Sequence, residues 1–252
     1  MESTSIRIIA DDLGLSTSIN KGIFELLQNG KVQGASLMAS GQAFDDAVFT
    51  AASYGGGIGI HFVLVEEPSL TGMQLPKNHK VFFLKYILGL ISKKEIEAEM
   101  RAQLEKLLKT RVRPTQINSH QHLHLLPGIM DIVIKIAKEN SINYVRLVNE
   151  PIHGMGKLFR KAQLIFLNFL SSLAKKKLDQ NNIGYNSFFI GFINAGNLGN
   201  EDLLKARELA LKHPDKIIEL GCHPGYQDEA LVQKYKHWDY HWESEINILK
   251  QN

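Results

Sequence analysis

Short apolar runs alternate with helix-spaced apolar stripes along most of the chain. Ile6-Arg7-Ile8-Ile9-Ala10 is a β-branched run that stops at Asp11-Asp12-Leu13-Gly14, which predicts a buried strand ending in an acidic turn. Ser16 or Ser18 can cap the following helix, where Ile19, Ile23, Leu26 and Leu27 recur at helical spacing until Gly30 stops it. Ser36-Leu37-Met38 predicts a second strand ahead of a helix near 43–54, and residues 57–64 predict a third strand that carries His61. Irregular chain comes next, and then a charged helix over 92–110. It pairs Glu97 with Arg101 and Glu105 with Lys109 on its wet face and buries Ile96, Met100, Leu104, Leu107 and Leu108. Further strands are expected at 116–118, 144–147 and 217–220, with helices near 128–139 and 201–211. Strands alternating with helices imply an α/β fold with a mostly parallel sheet or barrel, whose ligands bind where the carboxyl ends of the strands converge.

The composition narrows the class. A chain of 252 residues, 44% hydrophobic and 22% charged, with Gly and Pro spread evenly, predicts one domain over 1–252 and excludes disorder and disulfide scaffolds. The net charge of +3 is too small for a nucleic-acid groove, so no nucleic-acid partner is expected. Cys222 is the single cysteine and residues 1–5 have no leader-like pattern, so a reducing cytoplasm is the default expectation. The longest apolar stretch, 164–170, falls far short of the ~20 residues that cross a bilayer. Its basic flanks, Arg160 and Lys161 before and Lys175, Lys176 and Lys177 after, make 158–178 a core helix, an oligomer interface or a peripheral membrane contact.

Four segments carry candidate chemistry, and each closes a predicted strand: Asp11-Asp12, His61, the run from Ser119 through His120, His122 and His124, and Cys222-His223-Pro224-Gly225. Carboxylates and imidazoles from separate strands are the ingredients of a divalent-metal hydrolytic site. Taken singly, Asp11-Asp12 also reads as a solvated turn, His61 as a satisfied core histidine, and His223 before Pro224-Gly225 as a turn. Extended, His120 and His124 would lie about 13 Å apart; coiled into a helical turn, they would face one ion. The sequence leaves that choice open.

Together these segments resemble the YdjC-like carbohydrate deacetylases, the ChbG-like family. The matching stretches are 10–16, 36–38, 59–64, 114–124 and 222–226, and the helix with Glu99 and Gln103 also looks similar. The late aromatic cluster Tyr235, Trp238, Tyr240 and Trp242 resembles the hopanoid-biosynthesis-associated branch. The resemblance implies a distorted (β/α) barrel of the NodB-like type and a hydrolase that removes acetyl groups from N-acetylated sugars, oligosaccharide or lipid-linked. By motif it implies Asp12, His61 and His120 as metal ligands, with His120 and His124 as the second choice of pair. Asp11 is implied as general base and His223 as general acid, with His122 and His124 lining the site. Arg146 is the strand-end arginine available to substrate or phosphate. Magnesium is the ion the family suggests, and zinc is the one that two imidazoles with a carboxylate prefer. Two positions depart from the family pattern: Asn118 stands where Asp is usual, and Leu13 where Phe is usual. A metal-dependent phosphoesterase and a non-catalytic carbohydrate-binding protein are the alternatives. The first would need a second metal site and phosphate clamps; the second would have no use for the Asp11-Asp12 pair.

Overall fold

The computed structural model describes residues 6–54, 56–152 and 158–252, so the leader reading at 1–5 lies outside the described residues. Six parallel strands, β1 (Ile6–Leu13), β2 (Gly34–Leu37), β3 (Ile58–Phe62), β4 (Ile117–Ser119), β5 (Phe188–Ile190) and β6 (Ile218–Cys222), form one sheet in the order β4-β3-β2-β1-β6-β5. Strands covered on both faces have little use for polar alternation, and β2, β3 and β6 are buried along their full length.

The helices follow the apolar stripes. α1 (Thr17–Gln28) starts at Ser16, whose side chain accepts the amide of Ile19. α2 (Phe44–Ala51) and α3 (His79–Ile87) come next, the latter in the stretch expected to be irregular. α4 (Lys93–Leu108) opens with a reciprocal cap between Ser92 and Glu95 and makes both expected ion pairs on its outer face. α5 (Ile129–Glu139), α6 (Leu158–Gln180), α7 (Asn200–Lys212), α8 (Glu229–Lys234) and α9 (Trp242–Gln251) complete the set among the described residues. No helix of the described residues is long and apolar enough to cross a membrane. α6 buries Leu164, Leu170, Ala174 and Leu178 against the body and leaves Leu158, Phe159, Ile165 and Phe169 exposed.

The expected strand at 144–147 is corrected. That segment lies between the two sheet edges, but only Val145 and Tyr144 make bridges, to Ile117 and Gly184. The backbone bonds of 144–146 run to Ile117 and Gly184, and from Leu147 onward side chains take over. The amide of Leu147 donates to Asn186 Oδ1 and that of Val148 to Ser171 Oγ, so a regular neighbour is not needed to satisfy the backbone. The amide of Phe189 donates to Asn149 O and that of Arg146 to Ile117 O. The segment therefore links β4 to β5, and the sheet curls into a distorted (β/α) barrel.

Gly22 on α1 sits where α9 and the loop after β6 press in. A Cβ there would lie 2.7 Å from Ile246 Cδ1 and 2.9 Å from Gly225 Cα. Overpacking at such a contact costs about 1–3 kcal/mol, against up to about 1 kcal/mol of helix propensity gained. Gly22→Ala is therefore expected to destabilise the fold by about 1–2 kcal/mol net, read as a lower urea midpoint at unchanged m-value.

Candidate metal centre and active site

The carboxyl ends of β1, β3, β4 and β6 meet over one small pocket. β1 ends in a register shift against β2 between Ala10 and Leu13, and Asp12 within it has φ +63. Such a bulge turns the strand and re-aims a side chain. The turn is locked by Asn20, whose Oδ1 accepts the Gly14 amide at 2.7 Å and whose Nδ2 donates to Ala43 O. Asp11 and Asp12 thus both project into the interior, and both are buried.

Asp12 Oδ1 lies 3.4 Å from His61 Nε2 and 3.5 Å from His120 Nδ1. The three donor atoms all fall within 4.8 Å of one another. These separations are too long for good hydrogen bonds, and both Asp12 oxygens and His61 Nε2 are buried without a hydrogen-bond partner. Ligand atoms held about 2.0–2.2 Å from one ion stand roughly 3.0–3.5 Å apart. The donor set, its spacing and its orphaned atoms fit a divalent cation.

The surrounding groups fix which nitrogen of each ring faces inward. Asn118, register partner of His61, accepts from His61 Nδ1 at 2.7 Å and donates to Asp11 Oδ1 and Ser36 Oγ. Nε2 of His61 is thereby left as the lone-pair nitrogen toward Asp12. His120 is reversed: its Nε2 meets Glu66 Oε2 at 2.8 Å and its Nδ1 faces Asp12.

The histidine run is neither extended nor α-helical. It forms a 3-10 turn over 120–125 in which Gln121 and His122 have φ of 56° and 54°. Two consecutive left-handed residues fan the imidazoles apart. His120 enters the centre, and His122 packs against Phe189 and Phe192 at the pocket wall. The assignment of His124 to the lining, or as a second ligand, is corrected. Its Nδ1 meets Ser119 Oγ at 2.8 Å and its Nε2 meets Arg146 O at 2.9 Å, so both ring nitrogens are taken within the core. Burial lowers its pKa to about 3 and keeps it neutral.

Arg146 is corrected as well. It does not line the cleft; it lies beneath it, 1% exposed, with Nη1 and Nη2 on the two oxygens of Asp11 and Nε on Glu219. Burial alone would raise Asp11, but Arg146 and then His61 outweigh it and hold the carboxyl well below its usual range. His223 lines the pocket with its Nδ1 unpaired, while its backbone amide donates to Glu245. Burial lowers its pKa, and the charges of Asp12 and Asp11 partly restore it.

The sequence reading missed Glu66 and singled out Trp238 and Tyr240 without giving them a place in the site. Trp238 Nε1 donates to Glu66 at 3.0 Å, its ring lies 5.0 Å from that of His120, and Tyr240 lies 4.8 Å from His223. Tyr240 and Trp238 belong to the aromatic cluster that the sequence already displays, which was the available signal for them. Together with Asn194 and Asn197 they line an open cleft of about 570 Å3 beside the small pocket.

Fold and cluster together define an α/β barrel protein with one aspartate and two histidines gathered at its strand ends. A family model described as YdjC-like protein matches residues 5–252, and the chain belongs to that family. It is 30% identical over 233 residues to a carbohydrate deacetylase of Clostridium beijerinckii, covering 88% of this chain and 82% of the relative. To a chitooligosaccharide deacetylase of Escherichia fergusonii it is 28% identical over 235 residues, covering 89% and 82%. A crystal structure from Enterococcus faecalis V583, described as a candidate cellobiose-phosphate cleavage protein, superposes with a TM-score of 0.71 at 17% identity. The match covers 97% of this chain and 89% of that one.

Removing Arg146 would leave Asp11 and Glu219 as uncompensated buried charges. Arg146→Met is expected to cost about 3–5 kcal/mol in urea unfolding. Adding Glu219→Gln should recover part of that loss, and the double-mutant cycle measures the coupling.

Proposed function

We propose that this protein is a metal-dependent deacetylase of acetylated saccharides. The observation that carries the reading is the clustering of Asp12, His61 and His120, with both Asp12 oxygens and His61 Nε2 unpartnered, at a pocket that Asp11 and His223 also line. The deacetylase relatives give the reaction class. In this reading Asp12, His61 and His120 hold one divalent cation, which when bound supplies the Lewis acidity that acidifies water and polarises an amide carbonyl. Asp11, already paired with Arg146, stays ionised and takes the proton of the attacking water. His223 hands a proton from Nδ1 to the amine as the C–N bond breaks, and the proton that Asp11 took from water restores it. Trp238 and Tyr240 offer the flat apolar faces on which a sugar ring stacks. The ligand set leaves the ion between magnesium, which the family suggests, and zinc, which the imidazoles prefer.

The alternatives fare less well. The described residues hold one Asp/His cluster, not two, and Arg146 is consumed by Asp11 and Glu219 rather than free to clamp phosphate. A pure binding protein has no need for a strained Asp12 with both oxygens unpartnered.

A second observation extends the substrate. A cavity of about 260 Å3 lined by Phe83, Leu123, Leu126, Phe166, Leu170 and Phe192 adjoins the pocket, sharing His122 and Phe192 with it. It opens beside the exposed apolar face of α6, whose flanks are basic. This supports a saccharide carrying a hydrocarbon group, presented from a membrane surface contacted by 158–178.

Protein stripped by chelation and given magnesium or zinc separately should release acetate from diacetylchitobiose and no phosphate from simple monoesters. Asp11→Asn should retain metal and lose about 10²–10⁴ of turnover, whereas His61→Ala should lose both. Asp11→Asn with an empty site would overturn the roles. For the extended substrate, an octyl glycoside of N-acetylglucosamine should show a KM at least about tenfold below that of the methyl glycoside, and the protein should sediment with anionic liposomes. Equal KM values and no sedimentation would sink the apolar subsite.

A further inference from the structure

The loop after β3 brings two adjacent carboxylates under the C-terminal aromatic segment. Gln103 on α4 anchors that loop by accepting the Val63 amide and donating to Val63 O, and Glu99 accepts the amides of Leu70 and Thr71. Between these anchors Glu66 has φ +72, and its amide donates to Pro76 O. The backbone is thus held in a left-handed conformation uncommon for a non-glycine residue. Glu67 accepts from Tyr235 Oη and from Lys234 Nζ, which clamps the end of α8. Glu66, its side chain 7% exposed, sends one oxygen, Oε2, to two targets at once: His120 Nε2 at 2.8 Å and Trp238 Nε1 at 3.0 Å.

We infer that Glu66 is a positioning residue that ties the metal centre to the saccharide cleft, an inference that rests on the deacetylase reading for its substrate side only. Through His120, Glu66 fixes the tautomer, because an Nε2–H engaged by a carboxylate leaves the Nδ1 lone pair facing Asp12. Through Trp238 it fixes the indole that lines the cleft and lies against the His120 ring. One oxygen shared between these two donors couples them: a shift of His120 on taking a ligand moves the acceptor on which Trp238 depends. Linkage makes the effect reciprocal, so occupation of the cleft against Trp238 alters the affinity of the centre for its ion.

The sequence offers a direct probe, since Trp238 and Trp242 are its two tryptophans. In a Trp242→Phe background the emission of Trp238 should change on titration with zinc ions. Glu66→Gln in that background should weaken zinc binding about 10–100-fold and abolish the emission response, with thermal unfolding near that of the parent. Glu66→Asp, too short to reach both donors, should lie between the two and serves if Glu66→Gln folds poorly. Trp238→Phe should hold zinc affinity within about twofold while raising KM for diacetylchitobiose more than it lowers kcat, because it removes the cleft wall and leaves the carboxylate on His120. A Glu66→Gln protein with parental zinc affinity or an unchanged emission response would overturn the inference. Zinc affinity and emission are independent of turnover, so a chain without deacetylase activity sinks the earlier reading and leaves this one testable.

Discussion

The arrangement hinges on a guanidinium buried at the centre of the barrel. Arg146 is among the largest fully buried side chains, and it faces Asp11 on one side and Glu219 on the other, with Tyr144 Oη donating to the far oxygen of Glu219. Three ionised groups out of water are tolerable only if every one is paired, because the desolvation penalty of each is several kcal/mol. That condition fixes geometry. The segment around Arg146 is held by isolated bridges to Ile117 and Gly184, and the reach of its side chain to Asp11 and Glu219 adds to them. The same reach pins Asp11 at the end of β1, and Asn118 then relays that position to His61. Barrel closure and the posture of the site therefore meet at one residue.

Much of this was readable in the sequence where a feature is local and periodic. Five of the six strands overlap expected ones, four of them on β-branched or apolar runs that burial on both faces leaves unbroken. α1 and α4 announce themselves through Ser16 and Ser92 and their apolar stripes. β5 has three residues and no alternation to detect, and α3 exposes Leu84 and Ile87, so neither carries a helix- or strand-specific signature. The 144–147 reading failed for a different reason. Tyr144-Val145-Arg146-Leu147 has strand composition, but its ladder stops at Arg146 because the next backbone groups, those of Leu147 and Val148, pair with Asn186 and Ser171, which lie far away in the chain.

The site divides along the same line. That Asp12, His61 and His120 share a pocket follows from their strand-end positions, which a parallel fold brings together. The fate of the other histidines depended on the φ values of Gln121 and His122, for which neither residue type gives a warning. Arg146 looked available because it closes an apolar run; its burial is dictated by Glu219, a residue inside another strand. Glu66 follows an apolar run in a loop and resembles any surface acid until Trp238, 172 residues onward, is folded over it.

The contrast between His124 and the Asp12–His61 pair bears on what the pocket is for. A buried imidazole can be fully satisfied here, as His124 is by Ser119 and Arg146 O, so the fold is capable of pairing its polar atoms. At Asp12 it leaves both oxygens without a donor and adds a left-handed backbone, costs that a structural carboxylate would not retain. Charge points the same way. The carboxylates of Asp11, Asp12, Glu66 and Glu219 outnumber the two arginines at the cluster, Arg146 paired beneath it and Arg160 on the pocket wall. Asn118 acquires a physical meaning in that setting. Without adding a negative charge against Asp11, the Asn118 amide supplies His61 with an acceptor and gives Asp11 a donor.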